Sequence, residues 1–186
     1  MGTKMAPCYA NIFMEKLETE ILANSLHKPM HYHRYIDDIF FIWPHGKDAL
    51  DQFQAYANRC HESIKFTFES SKTRVSFLDV LINMHSNVLS TSVYYKPTDN
   101  HTFLNFHSAH PISLKKSIVY SQCLIIKRIC SDPHEFEKAT SKLISYFISN
   151  DYPIQVIKHG IEKAKIISRS DLLAYKPKVS NQRIPL

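Results

Sequence analysis

The chain has 186 residues, of which 44% are hydrophobic and 12% aromatic, enough apolar surface for one domain or one domain with a smaller lobe and too much for a disordered chain. Its three glycines, Gly2, Gly46 and Gly160, are too few and too scattered for a glycine-rich phosphate loop, which excludes the common nucleotide-binding motifs built on one. The formal charge of +6 is uneven: residues 111–186 hold 13 Lys and Arg against 6 Asp and Glu, whereas residues 1–110 hold 10 against 11. A basic C-terminal part suits a polyanionic partner, because neutralised phosphates release counterions, although ordinary solvated lysine produces the same count.

Residues 6–26 read as a helix. Pro7 suits its first turn, and Ala10, Phe13, Met14, Leu17 and Ile21 recur at helical spacing. Residues 31–43 read as a β-hairpin with Asp37 and Asp38 at the tip, and residues 48–61 as a second helix striped by Leu50, Phe53, Ala57 and Cys60. Residues 64–69 alternate strictly and predict a half-buried strand. Residues 75–84 and 88–95 predict two more strands joined at His85-Ser86-Asn87. From Pro111 the pattern becomes helical. Residues 113–130 form one or two helices, and Asp132-Pro133-His134-Glu135 is a helix start: a capping carboxylate, proline in the first turn, glutamate three residues after the cap. The stripe Phe136, Ala139, Leu143, Tyr146, Phe147 follows. Asp151-Tyr152-Pro153 then starts a last helix striped by Ile154, Ile157, Ile161 and Ala164, and a basic tail ends the chain.

The expected class is therefore α+β, helices covering an antiparallel sheet in residues 1–110, then a helical lobe at 111–170 and a basic tail at 171–186. Cys8, Cys60, Cys123 and Cys130 form no C-x-x-C pair and follow no secretory signal, so they read as reduced thiols of an intracellular protein, nuclear or cytoplasmic. The longest apolar run, residues 39–43, is far too short to cross a membrane. The start at Met1-Gly2 has Ala6 where an acylation signal wants Ser or Thr, so no membrane anchor is expected.

Adjacent carboxylates at a hairpin tip are the most chemical feature of the chain. Two like charges held together favour a cation, and Mg²⁺ takes one or two carboxylates together with substrate phosphates. The plain alternative is a polar turn, which Asp favours. The surroundings decide between them. Tyr35-Ile36-Asp37-Asp38 resembles the Y-x-D-D signature of reverse transcriptases. Residues 2–11 resemble the motif that precedes that signature, and Phe77-Leu78-Asp79-Val80 resembles the primer-grip hairpin. Five ordered segments, at 34–40, 77–80, 95–99, 108–111 and 128–132, resemble Penelope-like retroelements in particular, over roughly residues 2 to 170.

That resemblance implies part of a polymerase palm followed by a helical thumb-like lobe, a fragment of an RNA-directed DNA polymerase. It implies Asp37 as a metal-ligating aspartate with Asp38 beside it, Mg²⁺ as the cofactor, and an RNA/DNA template-primer as the partner. It places Tyr35 near the primer end, Gly2 and Pro7 at template and incoming nucleotide, and Phe77, Leu78 and Asp79 in the primer grip. Lys65 or Lys72 would assist pyrophosphate departure, though both read equally as a strand-edge and a loop lysine. Lys115, Lys116, Lys127 and Arg128 would hold duplex phosphates. The resemblance also implies a further metal-binding aspartate and triphosphate-holding residues ahead of residue 2, so a missing N-terminal half is an expected partner and the chain by itself is expected not to polymerise.

Two other functions stand beside this one. The helices that start at Ser131-Asp132-Pro133 and Asn150-Asp151-Tyr152-Pro153 could form a helix-turn-helix-like unit, a nucleic-acid-binding module without catalysis. The chain could also be a decayed element remnant. Zinc is disfavoured: His31-Tyr32-His33 and His107-Ser108-Ala109-His110 lack the spacing of a zinc site.

Overall fold

The computed structural model describes residues 3–174. It is α+β, with six helices and two small antiparallel sheets among the described residues. Gly2 and the tail from residue 175 lie outside them. The chain forms two compact units, dividing between Leu78 and Asp79. That division falls well before residue 110, where the sequence changes character.

In the first unit, α1 (Ala6–Asn24) is followed by β1 (His31–Tyr35), β2 (Asp38–Ile42), α2 (Gly46–Ala57) and β3 (Arg74–Phe77). β1 and β2 pair in register from His31↔Ile42 to Tyr35↔Asp38. Opposed residues share a face, so Tyr32, Arg34, Ile39 and Phe41 point one way and His33, Tyr35, Asp38 and Phe40 the other. Tyr32, Arg34, Ile39 and Phe41 are all half-buried. Leu17 and Ile21 of α1 and Phe53 and Ala57 of α2 form the core, with Phe41 and Trp43 packed against it. The predicted helical stripes thus hold where they reach this core. Ala10 and Phe13, nearer the start of α1, and Cys60, beyond the end of α2, are exposed.

The predicted strand at 64–69 is not a strand. Its alternation is real: Ile64, Phe66 and Phe68 are half-buried against the core, while Lys65, Thr67 and Glu69 are exposed. Side chains stand where a neighbouring strand would. Asn58 accepts from the Phe66 amide at 2.6 Å and donates to the Phe66 carbonyl at 3.0 Å, and Gln54 donates to the same carbonyl at 3.3 Å. An inward-facing period of two needs only an extended chain over a core, and the Phe66 amide and carbonyl are satisfied without a ladder.

In the second unit, β4 (Val80–His85) and β5 (Val88–Val93) form a hairpin closed by Ser86 and Asn87, both with positive φ. Such a two-residue turn matches the twist of its strands, and Asn tolerates it well. The strand predicted at 75–84 is really β3 and β4, broken at Leu78, whose φ is +53°. Four helices follow: α3 (Ile112–Ile129), α4 (Pro133–Ser149), α5 (Ile154–Lys165) and the short α6 (Arg169–Leu173). The predicted helix at 113–130 is therefore a single one.

Asp132 caps α4 as its pattern requires, its Oδ1 accepting from the amides of His134 at 2.7 Å and Glu135 at 3.3 Å. Val119 and Cys123 of α3, Leu143 and Phe147 of α4 and Ile157 and Ile161 of α5 make one core. Each such side chain contributes about 1.5–3 kcal/mol by leaving water. The hairpin belongs to this unit. Thr91 of β5 receives the Ser131 amide on its carbonyl at 2.9 Å, and its own amide donates to Ser131 Oγ at 2.8 Å.

Candidate nucleic-acid interface

The aspartate pair sits at the tip of the β1–β2 hairpin. Ile36 and Asp37 are the two turn residues, and Asp38 is the first residue of β2, paired with Tyr35. Ile36 has φ +56°. A β-branched residue there is strained, because this first turn position favours glycine. Arg34 holds the turn in place. Its Nη1 donates to the Ile36 carbonyl and to Asn11 Oδ1, both at 3.0 Å, and its Nε lies 2.8 Å from Glu18 Oε1. Arg34 and Glu18 side chains are only 14% and 10% exposed, so this is a largely desolvated ion pair that ties the tip to α1. Burial, with the Glu18 carboxylate next in weight, pushes the neighbouring Tyr32 hydroxyl far above its ordinary value.

The result is a fixed tip on which Tyr35, Ile36, Asp37 and Asp38 are all exposed. Two adjacent carboxylates can share a divalent cation when other ligands complete its shell. Among the described residues, no group of three or more His, Cys, Asp and Glu stands together to do so.

The other residues singled out from the sequence separate into distinct places. Pro7 is exposed in the first turn of α1. Phe77 is half-buried, its ring 5.6 Å from that of Phe40. Leu78 is half-buried at the strained turn, and Asp79 is exposed. Lys65 donates to the Asn58 carbonyl at 3.0 Å, which makes it a brace for the loop that follows α2, and Lys72 is an exposed loop residue.

Two of the four cations expected to hold phosphates are committed inside the fold. Lys115 is 6% exposed, and its ammonium donates to the carbonyls of Phe106 and Ser108, each at 2.6 Å, beside the Phe106 ring. That ammonium is spent on the fold itself. Lys127 is half-buried and donates to the carbonyls of Ala164 and Lys165, closing the negative end of α5. Lys116 and Arg128 are exposed.

The second unit presents a different surface. α4 ends in a left-handed turn at Asp151, φ +61°. The Tyr152 amide reaches the Phe147 carbonyl at 3.1 Å and the Asp151 amide reaches Ile148 at 3.0 Å. The Tyr152 ring packs at a tilt of 55° against that of Phe147, centroids 4.8 Å apart. These two bonds and that apolar contact are the Schellman closure of a helix, with aspartate where glycine is usual. Asn105 donates to the Asp151 carboxylate at 2.7 Å and steadies it. Four residues, 150–153, thus separate α4 from α5, a spacing typical of a helix-turn-helix.

α3 braces α5 from behind. An added Cβ on Gly160 would sit 2.8 Å from Val119 Cγ1 and 3.3 Å from the Tyr120 amide nitrogen, so the two helices meet at a glycine. With Ile157, Ile161 and Ala164 buried, α5 turns Gln155, Lys158, His159 and Glu162 to solvent on one face. The sequence pattern marks the apolar stripe of this helix. Its polar complement, at the same helical spacing, was the signal for the outward face.

The family model described as “Animal helix-turn-helix domain” matches residues 102–162, from just ahead of α3 through most of α5. No curated protein and no solved structure matches the chain.

Proposed function

We propose that the chain is a nucleic-acid-binding protein and that α4, the turn at 150–153 and α5 are its docking element. The carrying observation is the Schellman-closed turn between two helices braced by a third, in the same residues that match the helix-turn-helix family. In such a unit the second helix enters a groove and the residues near its start meet base edges. Here those are Gln155, Lys158 and His159. Glutamine pairs with adenine and lysine with guanine in the major groove. Alanine at all three positions should weaken binding to a short duplex about tenfold or more, since one good base contact is worth about 1–3 kcal/mol. Fluorescence anisotropy with DNA and RNA–DNA duplexes measures this. Unchanged affinity in a variant that keeps its helical circular dichroism would refute the assignment of α5.

A second reading draws on the hairpin tip. Tyr35, Asp37 and Asp38 stand exposed on a turn fixed by Arg34, which supports the resemblance to the palm of a Penelope-like reverse transcriptase. In that reading the helical unit is the thumb, the nucleic acid is a template-primer, and Mg²⁺ would be held by Asp37 and Asp38 with ligands that substrate and a further polypeptide segment supply. Primer extension should be absent for the chain alone and should appear when an upstream segment bearing a further aspartate is added. Extension by the isolated chain with Mg²⁺ would overturn that expectation.

A further inference from the structure

The ends of α3, α5 and α6 bring together cations that are far apart in sequence. Lys127 donates to the carbonyls of Ala164 and Lys165, 37 and 38 residues away. Arg169 donates through Nε to the Arg128 carbonyl at 3.2 Å, 41 residues away. Lys163 lies 4.8 Å over the ring of Tyr120 on α3. These bonds set the backbones of Arg128 and Lys165 beside the side chains of Arg169 and Lys127, and Lys163 is a fifth cation, further back along α3 at Tyr120. Two carboxylates accompany them. Glu162 is 3.9 Å from Lys165, and Asp171 is bound to Ser168 Oγ at 2.6 Å.

Cations at helix C-termini can be purely structural, since they answer the negative end of the helix dipole. Lys127 and Arg128 in the last turn of α3 and Lys163 and Lys165 in the last turn of α5 all answer it, and of these four Lys127 is the one whose ammonium sits on end carbonyls. Arg128 and Lys165 are exposed, and Arg169 spends one of its five donors on the Arg128 carbonyl. Guanidinium forks match phosphate oxygens bidentately, and exposed lysines add point charge.

We propose that this cluster grips the phosphodiester backbone of a nucleic acid through Arg128, Lys165 and Arg169, as a site separate from the outward face of α5. The inference rests on the nucleic-acid reading above and assigns the contact that would give affinity without sequence preference. Three of the five cations lie beyond the residues matched by the helix-turn-helix family.

The test compares two variants of the full chain that lose the same charge. One carries Arg128→Gln with Lys165→Gln in the cluster. The other carries Lys47→Gln with Lys96→Gln, exposed positions outside α3 to α6. Binding of a mixed-sequence DNA duplex is titrated between about 50 and 200 mM salt, where each phosphate contact contributes about 0.9 to the slope of log K against log salt. The cluster variant should lose about 2 from that slope, and the Lys47/Lys96 variant less than about half a unit. Equal slopes for the two variants, or a cluster variant indistinguishable from the unaltered chain, would overturn the proposal while leaving nucleic-acid binding standing. An unaltered chain that binds no duplex at low salt would overturn both. Binding confined to vesicles of anionic phospholipid would overturn both in favour of a membrane surface.

Discussion

Gly160→Ala tests whether α3 and α5 meet as closely as their backbones suggest. In an exposed helix interior this change stabilises by about 0.8–1 kcal/mol, because alanine restricts the unfolded chain and favours the helix. Here the new Cβ would lie 2.8 Å from Val119 Cγ1, 3.0 Å from Val119 Cβ and 3.3 Å from the Tyr120 amide nitrogen. Comfortable carbon contacts begin near 3.5 Å, so the helices would have to part by roughly half an ångström or more. Val119 is fully buried and Tyr120 N is helix backbone, so neither can swing away. Overpacking of this kind costs about 1–3 kcal/mol, which outweighs the propensity gain and leaves a net loss of about 1 kcal/mol.

For a unit of this size that loss is a Tm fall of about 4–8 °C, read by circular dichroism. Val119→Ala removes the methyl that meets the new Cβ. The double variant should therefore be less destabilised than the sum of its parts, by about 0.5 kcal/mol or more in a urea-unfolding cycle. A Gly160→Ala protein that gained the full propensity term, or a strictly additive cycle, would show that the crossing is looser than 2.8 Å implies.

Lys115→Met should cost about 3 kcal/mol by stripping an ion-strength donor from the Phe106 and Ser108 carbonyls, yet leave the salt slope of duplex binding intact; a stable variant with a shallower slope would restore Lys115 as a phosphate ligand. Burial pushes the Cys123 thiol up from 9.0 to about 11. Between those values the unfolded chain has released a proton that the folded chain keeps, so the second unit should lose about 2–3 kcal/mol as pH rises through the window. Burial likewise pushes the Tyr95 hydroxyl up to about 12, which extends the fall to higher pH. Burial also raises the Cys130 thiol of the same unit, so Cys123→Ala should reduce the pH 9–11 slope of a denaturation series without abolishing it, and an unchanged slope there would count against the Cys123 thiol as a source.

The sequence by itself determined the elements whose signals are local. The capping carboxylate, proline and glutamate at 132–135 needed no partner beyond their own helix turn, and α4 starts there. The hairpins at 31–42 and 80–93 follow from β-forming runs broken by turn residues, and the stripes of α2, α4 and α5 face their cores, apart from Cys60 and Ile154 at their ends, because a helix of that period has one apolar side. The family match at 102–162 falls on the helices that the start signals at 131–133 and 150–153 pointed to.

Tertiary structure decided everything that depends on which groups meet. Alternation at 64–69 cannot tell a strand from an extended loop, and Asn58 makes it a loop. A lysine on a basic helix looks like a phosphate ligand until its ammonium is found on two carbonyls of the fold, as at Lys115. Arg34 and Glu18, sixteen residues apart, fix the hairpin tip, and Arg128 and Arg169 meet across 41. Charge is legible in a sequence because it belongs to each residue. Whether that charge is spent or free depends on packing between segments distant in the chain, and only the fold shows it.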